Sequence, residues 1–122
     1  MRREQLFLTD MLEAAESIRR FLQGVDRAGF IDDELRQSAV LQKLTLIGEA
    51  AARLPEEFRE RHPEVKWRSA IGLRNVAVHE YFSINWETIW YTATEDVPML
   101  REQTAHILAA EFSEQADTDE RD

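Results

Sequence analysis

The helical spacing of the apolar residues constrains the fold most, because no stretch of strand-like alternation interrupts it. In residues 4–22 apolar side chains recur every three or four positions, as on one face of an α-helix. They are Leu8, Met11, Leu12, Ala15, Ile18 and Leu22. In residues 32–54 the apolar positions fall nearly all round a second helix. Such a helix is buried on several sides, and in a chain of 122 residues this predicts that one side faces a second copy.

Capping residues and helix breakers predict the remaining bounds. Asp32 or Asp33 can cap the second helix, and Pro55 stands just past its end. Residues 55–66 predict a short helix and a turn, and residues 67–82 predict a further helix. Asn85 can cap a last helix, which Pro98 should kink because proline lacks a backbone donor. We predict an all-α fold: an antiparallel up-and-down bundle of four long helices plus a short one, with a kinked last helix.

The amino-acid composition excludes several kinds of protein. The chain has no cysteine, which excludes disulfides and thiolate metal sites. No apolar run approaches the roughly 20 residues that span a bilayer, and the first residues do not resemble a signal peptide. We therefore expect a cytoplasmic protein without membrane contact. Residues 111–122 carry six acids against one base, and we expect this acidic tail to be disordered and separate from a helical domain at residues 1–110.

The net charge of −9 argues against general binding of nucleic acids. Residues 59–74 are an exception, because five basic residues outnumber two acidic ones there. The basic residues are Arg59, Arg61, Lys66, Arg68 and Arg74, and the acidic ones are Glu60 and Glu64. Two interpretations stay open at this point: a local basic patch that contacts an anion, or an ordinary mixed surface.

Residues 74–81 hold the densest group of chemically useful side chains. They are Arg74, Asn75, His79 and Tyr81. On a regular helix, Asn75 and His79 share an arc of about 60° with Arg68 and Gly72. Arg74 points in another direction, which it shares with Tyr81 about two helical turns further along.

The direction of Arg74 raises two expectations. It points into a largely apolar side, where an unpaired charge would cost several kcal/mol. Arg74 therefore needs an acidic partner, for which Glu49 is our candidate, or an anion site. Because Arg74 and His79 differ by about 140° in direction, a cleft between two copies would bring them together better than one helix does.

Each of these residues also has a purely structural interpretation. His79 and Tyr81 can be packing residues, and Arg74 can complete a buried ion pair. His62 and His106 have no companions, and we interpret both as surface residues. The histidines do not cluster and no carboxylate grouping accompanies them, so we expect neither a metal nor a cofactor.

At these residues the chain resembles the HEPN superfamily, and within it the HepT-like toxins of prokaryotic toxin–antitoxin pairs. The family motif has an arginine, four residues, a histidine, one residue and a tyrosine, often with an asparagine after the arginine. Arg74, Asn75, His79 and Tyr81 match it. The resemblance covers most of residues 4–110. It includes Leu46-Ile47-Gly48-Glu49-Ala50, Lys66-Trp67, Trp86, Trp90 and Asp96-Val97-Pro98.

This resemblance implies a homodimer with facing motifs and a metal-independent RNA endonuclease. The 2′-hydroxyl of the RNA would attack its own 3′-phosphate and leave a 2′,3′-cyclic phosphate. His79 would move the proton as general base or acid, and Arg74 would neutralise charge on the phosphoryl oxygens. Asn75 would orient His79 or hold a phosphate oxygen.

The resemblance also implies a partner, a small nucleotidyltransferase antitoxin. It would transfer AMP from ATP onto Tyr81 and thereby silence the site, as in a type VII-like toxin–antitoxin system. Two alternatives stay open. The chain can be a non-catalytic helical dimer that binds nucleotides or proteins, or a structural dimer in which Arg74 only pairs with Glu49.

Overall fold

The computed structural model describes residues 2–76 and 83–121, and the side chains of residues 3–76 and 83–112. All regular secondary structure within those ranges is helical, which confirms the all-α prediction. None of the described helices is long and apolar enough to cross a membrane.

Helices α1 (Arg2–Phe21) and α3 (Glu34–Arg53) follow the two long apolar patterns closely. The side chain of Asp33 caps α3 by accepting a hydrogen bond from the Arg36 N–H. Between them lies a short helix that the sequence analysis missed, α2 (Arg27–Ile31), which Asp26 caps. It buries only Phe30, and five residues are too few for helical periodicity to show.

The helix predicted over residues 67–82 can be compared only over residues 67–76, since residues 77–82 lie outside the described ranges. After the short α4 (Glu56–Arg61), helix α5 extends only over Trp67–Gly72 and a 3-10 turn follows at Leu73–Asn75. A 3-10 turn has three residues per turn instead of 3.6, so residues before and after it do not keep the directions of a regular α-helix. Arg68 and Gly72 both lie in α5, so within the predicted arc only the direction of Asn75 changes, by up to about 60°.

The predicted kink at Pro98 takes the form of a π-helical turn. Helix α6 (Trp86–Tyr91) continues into a π-helix at Thr92–Asp96 and then into α7 (Val97–Arg121). The N–H of Val97 donates to Thr92 O, five residues back. Pro98 has no N–H to donate to the carbonyl four residues before it, which explains why the widened turn lies here.

Helices α3 and α7 both pack on α1. The largest fully buried side chains include Leu8, Met11 and Ile18 of α1, Leu44 and Ile47 of α3, and Ile107 and Phe112 of α7. Two apolar residues of α3 remain outside the core, since Leu35 is 80% exposed and Leu46 is 44% exposed. The helix that the sequence marks as apolar all round thus keeps part of its apolar surface uncovered in one copy.

The bundle makes contacts just beyond the predicted boundary at residue 110. Phe112 is buried at 2% exposure, and the Glu111 carboxylate lies 3.6 Å from the Arg61 guanidinium and 2.6 Å from His62 Nε2. These two residues, which the prediction assigned to the acidic tail, therefore belong to the packed bundle. The disorder predicted for the rest of the tail stays a prediction.

Candidate active site

The 3-10 turn Leu73–Asn75 presents Arg74 and Asn75. It follows α5 without a break, because the backbone N–H of Leu73 still donates to Ala70 O and Ile71 O. The N–H of Val76 then closes the turn on Leu73 O. Arg74 is half-buried and Asn75 is exposed, so the turn offers one sheltered cation beside one accessible amide.

Gly48 of α3 determines how closely this turn approaches the core. A Cβ added to Gly48 would lie 2.9 Å from Arg74 Cβ and 3.0 Å from Ala70 O, and it would collide with the backbone N of Arg74. Real Cβ atoms essentially never come within 3.0 Å of another heavy atom. Only glycine therefore lets α3 pack directly against the backbone that carries Arg74.

The ion pair expected between Arg74 and Glu49 is not found. Among the ion pairs of the described residues, none joins these two side chains. Glu49 is exposed and lines an open groove of about 850 Å³ between α1 and α3. The charge of Arg74 is therefore not neutralised by Glu49 within one copy of the chain.

His79 and Tyr81 lie outside the described residues, so the structure gives no distance between Arg74 and either side chain. The chain on both sides of that segment is well anchored. Before it, Trp67 is buried and its Nε1–H donates to His62 O at 2.9 Å. After it, Trp86 and Trp90 pack on Phe30, with ring centroids 6.2 and 5.5 Å away.

Asn85 caps the helix that follows the undescribed segment, as the sequence predicts. Its side-chain oxygen accepts hydrogen bonds from Glu87 N and Thr88 N at 3.0 and 3.1 Å. This cap fixes where α6 begins.

The predicted basic patch divides into paired and unpaired cations. Arg61 lies 3.6 Å from Glu111 and stacks over the Phe58 ring at 5.1 Å. The other four residues make no ion pair within the described ranges; they are Arg59, Lys66, Arg68 and Arg74. Elsewhere Arg27, Arg36 and Arg101 each contact a carboxylate. Within the described residues, the basic side chains without an ion pair thus include Lys66 and Arg68, which come shortly before the 3-10 turn.

The interpretation of His62 as a surface residue was wrong, whereas His106 is exposed as expected. The His62 side chain is only 14% exposed, and its Nε2 lies 2.6 Å from Glu111 Oε2. Its ring packs 4.8 Å from the Phe58 ring. His62 therefore joins α4 to α7, a contact between distant residues that no local pattern reveals.

Two carboxyl groups have displaced pKa values, and both stabilise the frame. The hydrogen bond from Arg101 lowers the pKa of Glu16 and links α7 to α1. Hydrogen bonds from the Arg36 backbone N–H and then its guanidinium lower the pKa of Asp33 at the start of α3. Both shifts favour the ionised carboxylate.

Comparison with known proteins shows which family the chain belongs to. The family model described as "Ribonuclease HepT-like" matches residues 11–107. The chain belongs to the HepT-like ribonuclease family. The matched range of this HepT-like chain includes both Gly48 and Arg74, the two residues whose backbones make the close contact. It lies within the predicted domain at residues 1–110.

Similar proteins come from three named organisms. A protein of Thermococcus cleftensis named "Probable ribonuclease HepT" is 36% identical over 95 residues, covering 78% of this chain and 86% of that protein. A relative from Methanocaldococcus jannaschii is 37% identical over 97 residues, covering 80% and 89%. A relative from Caldanaerobacter subterraneus is 34% identical over 111 residues, covering 91% and 99%. The names of the last two assign RNase activity provisionally. No solved structure is a significant match.

Proposed function

We propose that this chain is an RNA endonuclease whose reacting groups are Arg74 and His79. The observation that carries the proposal is the seating of Arg74, which Gly48 allows to lie against the core without a pairing carboxylate from Glu49. A half-buried guanidinium that Glu49 does not neutralise is suited to an anionic ligand, and phosphate matches its donor geometry. The family of the chain makes RNA the expected source of that phosphate.

The proposed reaction needs no metal and balances within the RNA. The 2′-oxygen attacks phosphorus, the bond to the 5′-oxygen breaks, and a 2′,3′-cyclic phosphate and a 5′-hydroxyl result. His79 removes the proton from the 2′-hydroxyl or delivers one to the leaving 5′-oxygen. Arg74 stabilises the charge on the non-bridging oxygens, and Asn75 orients His79 or holds one of those oxygens.

We further propose that the active form is a homodimer that meets along the groove between α1 and α3. Leu46 lines this groove and is 44% exposed, and Lys43 and Glu49 flank it with opposite charges. Opposite charges on one face let two copies pair about a twofold axis. Because Glu49 directly follows Gly48, such an interface would lie beside the turn that holds Arg74.

The regulatory part of the proposal concerns Tyr81. A nucleotidyltransferase antitoxin would transfer AMP from ATP to the Tyr81 hydroxyl and release pyrophosphate, so that the attached nucleotide would fill the phosphate site. After incubation with that partner and ATP, intact-mass measurement should show added AMP on the parent chain and none on Tyr81→Phe. AMP on the Tyr81→Phe chain would move the acceptor elsewhere. A cytoplasmic location stays a prediction of the sequence.

A non-catalytic binding module is the second candidate, and the net charge of −9 favours it. An acidic surface repels RNA and suits a protein partner better. In this alternative the groove between α1 and α3 would bind another protein, and His79 would have no chemical role.

Digestion of total RNA in EDTA decides between these two functions. The parent chain should cut RNA, and His79→Ala should not, because it removes the proposed proton carrier. His106→Ala is the matched control, since it removes an exposed histidine and should cut normally. Cleavage by His79→Ala would refute the assigned chemistry. No cleavage by a folded, unmodified parent chain would favour the binding module.

A further inference from the structure

A second concave site lies beside the 3-10 turn, on the side of α7. It is a cavity of about 220 Å³ with walls from α5, the turn, the π-helical segment and α7. Its apolar lining includes Ala70, Leu73, Val97 and Leu100, and its polar lining includes Lys66 and Asp96. Pockets for whole drug-sized ligands measure about 300–1,000 Å³, so this cavity suits a single ring system.

We propose that this cavity is a nucleobase subsite that accepts guanine from the RNA strand. The inference rests on the proposed ribonuclease function for its biological role. Leu73 lines the cavity and directly precedes Arg74 in the same 3-10 turn. Arg74 itself does not line the cavity, so the phosphate and the base of one nucleotide would lie on neighbouring sides of this turn.

The lining fits a base that is held by apolar contacts on its two faces and by hydrogen bonds along its edge. Unstacked bases of single-stranded RNA are held between flat or apolar surfaces and hydrogen-bonded along their edges. Glu64 also lines the cavity, but its carboxylate lies 3.6 Å from the His62 ring. Leu73 and Leu100 supply apolar surface, while Lys66 and Asp96 supply a cation and a carboxylate. These two side chains form no ion pair with each other among the described residues, so both remain available to a ligand.

Guanine is the base that fits both charges. Its O6 and N7 accept hydrogen bonds, which suits Lys66. Its N1–H and N2 amino group lie side by side as donors, and together they match the two oxygens of the Asp96 carboxylate. Uracil has no amino group, and the amino groups of adenine and cytosine have ring acceptors beside them. The carboxylate therefore selects guanine.

The π-helical turn is an independent feature of this cavity. Thr92 and Asp96, the first and last residues of the turn, both line it. π-Helical turns inside α-helices are often found at functional sites. A base subsite would also supply affinity that does not depend on net charge, which an acidic chain needs if it is to bind RNA.

The test measures binding of the four nucleoside 5′-monophosphates to the full chain by calorimetry. All four carry the same phosphate, so differences between them report the base. GMP should bind about tenfold more tightly than AMP, CMP and UMP, the scale of a good bidentate base contact. Asp96→Asn should bring GMP to the level of the others. Glu95→Gln removes the same charge from the neighbouring residue, which is absent from the lining, and should keep the preference.

A second variant fills the cavity. Ser69 lies on its exposed rim, and Ser69→Trp should abolish the GMP preference while the melting temperature stays near that of the parent chain. Equal binding of the four monophosphates, no binding of any, or an equal effect of Glu95→Gln would overturn the subsite. RNA cleavage without GMP preference would refute the subsite and support the ribonuclease function. GMP preference without cleavage would support the subsite and count against the ribonuclease function.

Discussion

Replacing Gly48 by alanine perturbs the contact that places Arg74. The added Cβ would lie 2.9 Å from Arg74 Cβ and 3.0 Å from Ala70 O. Two of its three close neighbours are backbone atoms, which cannot rotate away as a flexible side chain can. The 3-10 turn must therefore move away from α3 by about one ångström to restore ordinary contact distances.

The expected loss of stability combines two opposing terms. Overpacking in a well-packed core costs about 1–3 kcal/mol, and replacing a helical glycine by alanine returns up to about 1 kcal/mol. We expect a net loss of about 1–2 kcal/mol, which corresponds to a melting temperature lower by about 3–10 °C for a domain of this size. Because catalysis is sensitive to misplacement on the ångström scale, RNA cleavage should fall about tenfold or more.

Thermal unfolding and a cleavage assay measure the two effects, and Gly72→Ala is the matched control. Gly72 has helical dihedrals, φ −59° and ψ −25°, and nothing lies within 4 Å of its added Cβ. Alanine there should leave the melting temperature unchanged or raise it, since it reduces the freedom of the unfolded chain. If Gly48→Ala melts as high as Gly72→Ala and cuts RNA at the parent rate, the close contact does not position Arg74.

Three further predictions follow from surface charge and exposure. Leu46→Asp should convert the proposed dimer to monomers in analytical ultracentrifugation, because it places a charge in the proposed interface; a dimer of unchanged stability would exclude this groove as the interface. Arg68→Gln should reduce the salt dependence of RNA binding by about 0.7 in the log–log slope, the value for one phosphate contact on a single strand, whereas ion-paired Arg61→Gln should not. Arg101→Gln should lower the melting temperature at neutral pH, and this difference should shrink as the pH falls below about 4.5, the ordinary pKa of Glu16. The sign follows because a lowered folded-state pKa stabilises the fold only where the carboxyl is ionised.

The long helices could be predicted from the sequence because their signals are local. The apolar stripe of α1 and the Asp33 cap of α3 depend only on residues within a few turns. Helix α2 was missed because it is a single turn or so with one buried residue, Phe30. The pairing of His62 with Glu111 was missed because the two residues are far apart in sequence and meet only when α7 packs near α4.

The residues of the candidate site stay a prediction, and the structure describes the geometry of only part of them. On a regular α-helix Arg74 and Asn75 would point in other directions than the 3-10 turn gives them. The pairing of Arg74 with Glu49 was predicted because both interrupt apolar patterns, yet Glu49 is exposed. The available signal was Gly48, a glycine in the middle of a long helix. Such a glycine lowers helix stability, so its presence indicates a close contact at that position.

Net charge is a poor guide to whether this chain can bind RNA, because ion pairs redistribute the effective charge. Arg27, Arg36 and Arg101 are each close to a carboxylate, and paired charges contribute little field at a distance. Arg68 and Arg74 form no such pair within residues 2–76 and 83–121. At physiological salt, charges act over about 8 Å. A phosphate at the 3-10 turn would therefore respond to these unpaired arginines more than to the carboxylates spread over the remainder of the surface.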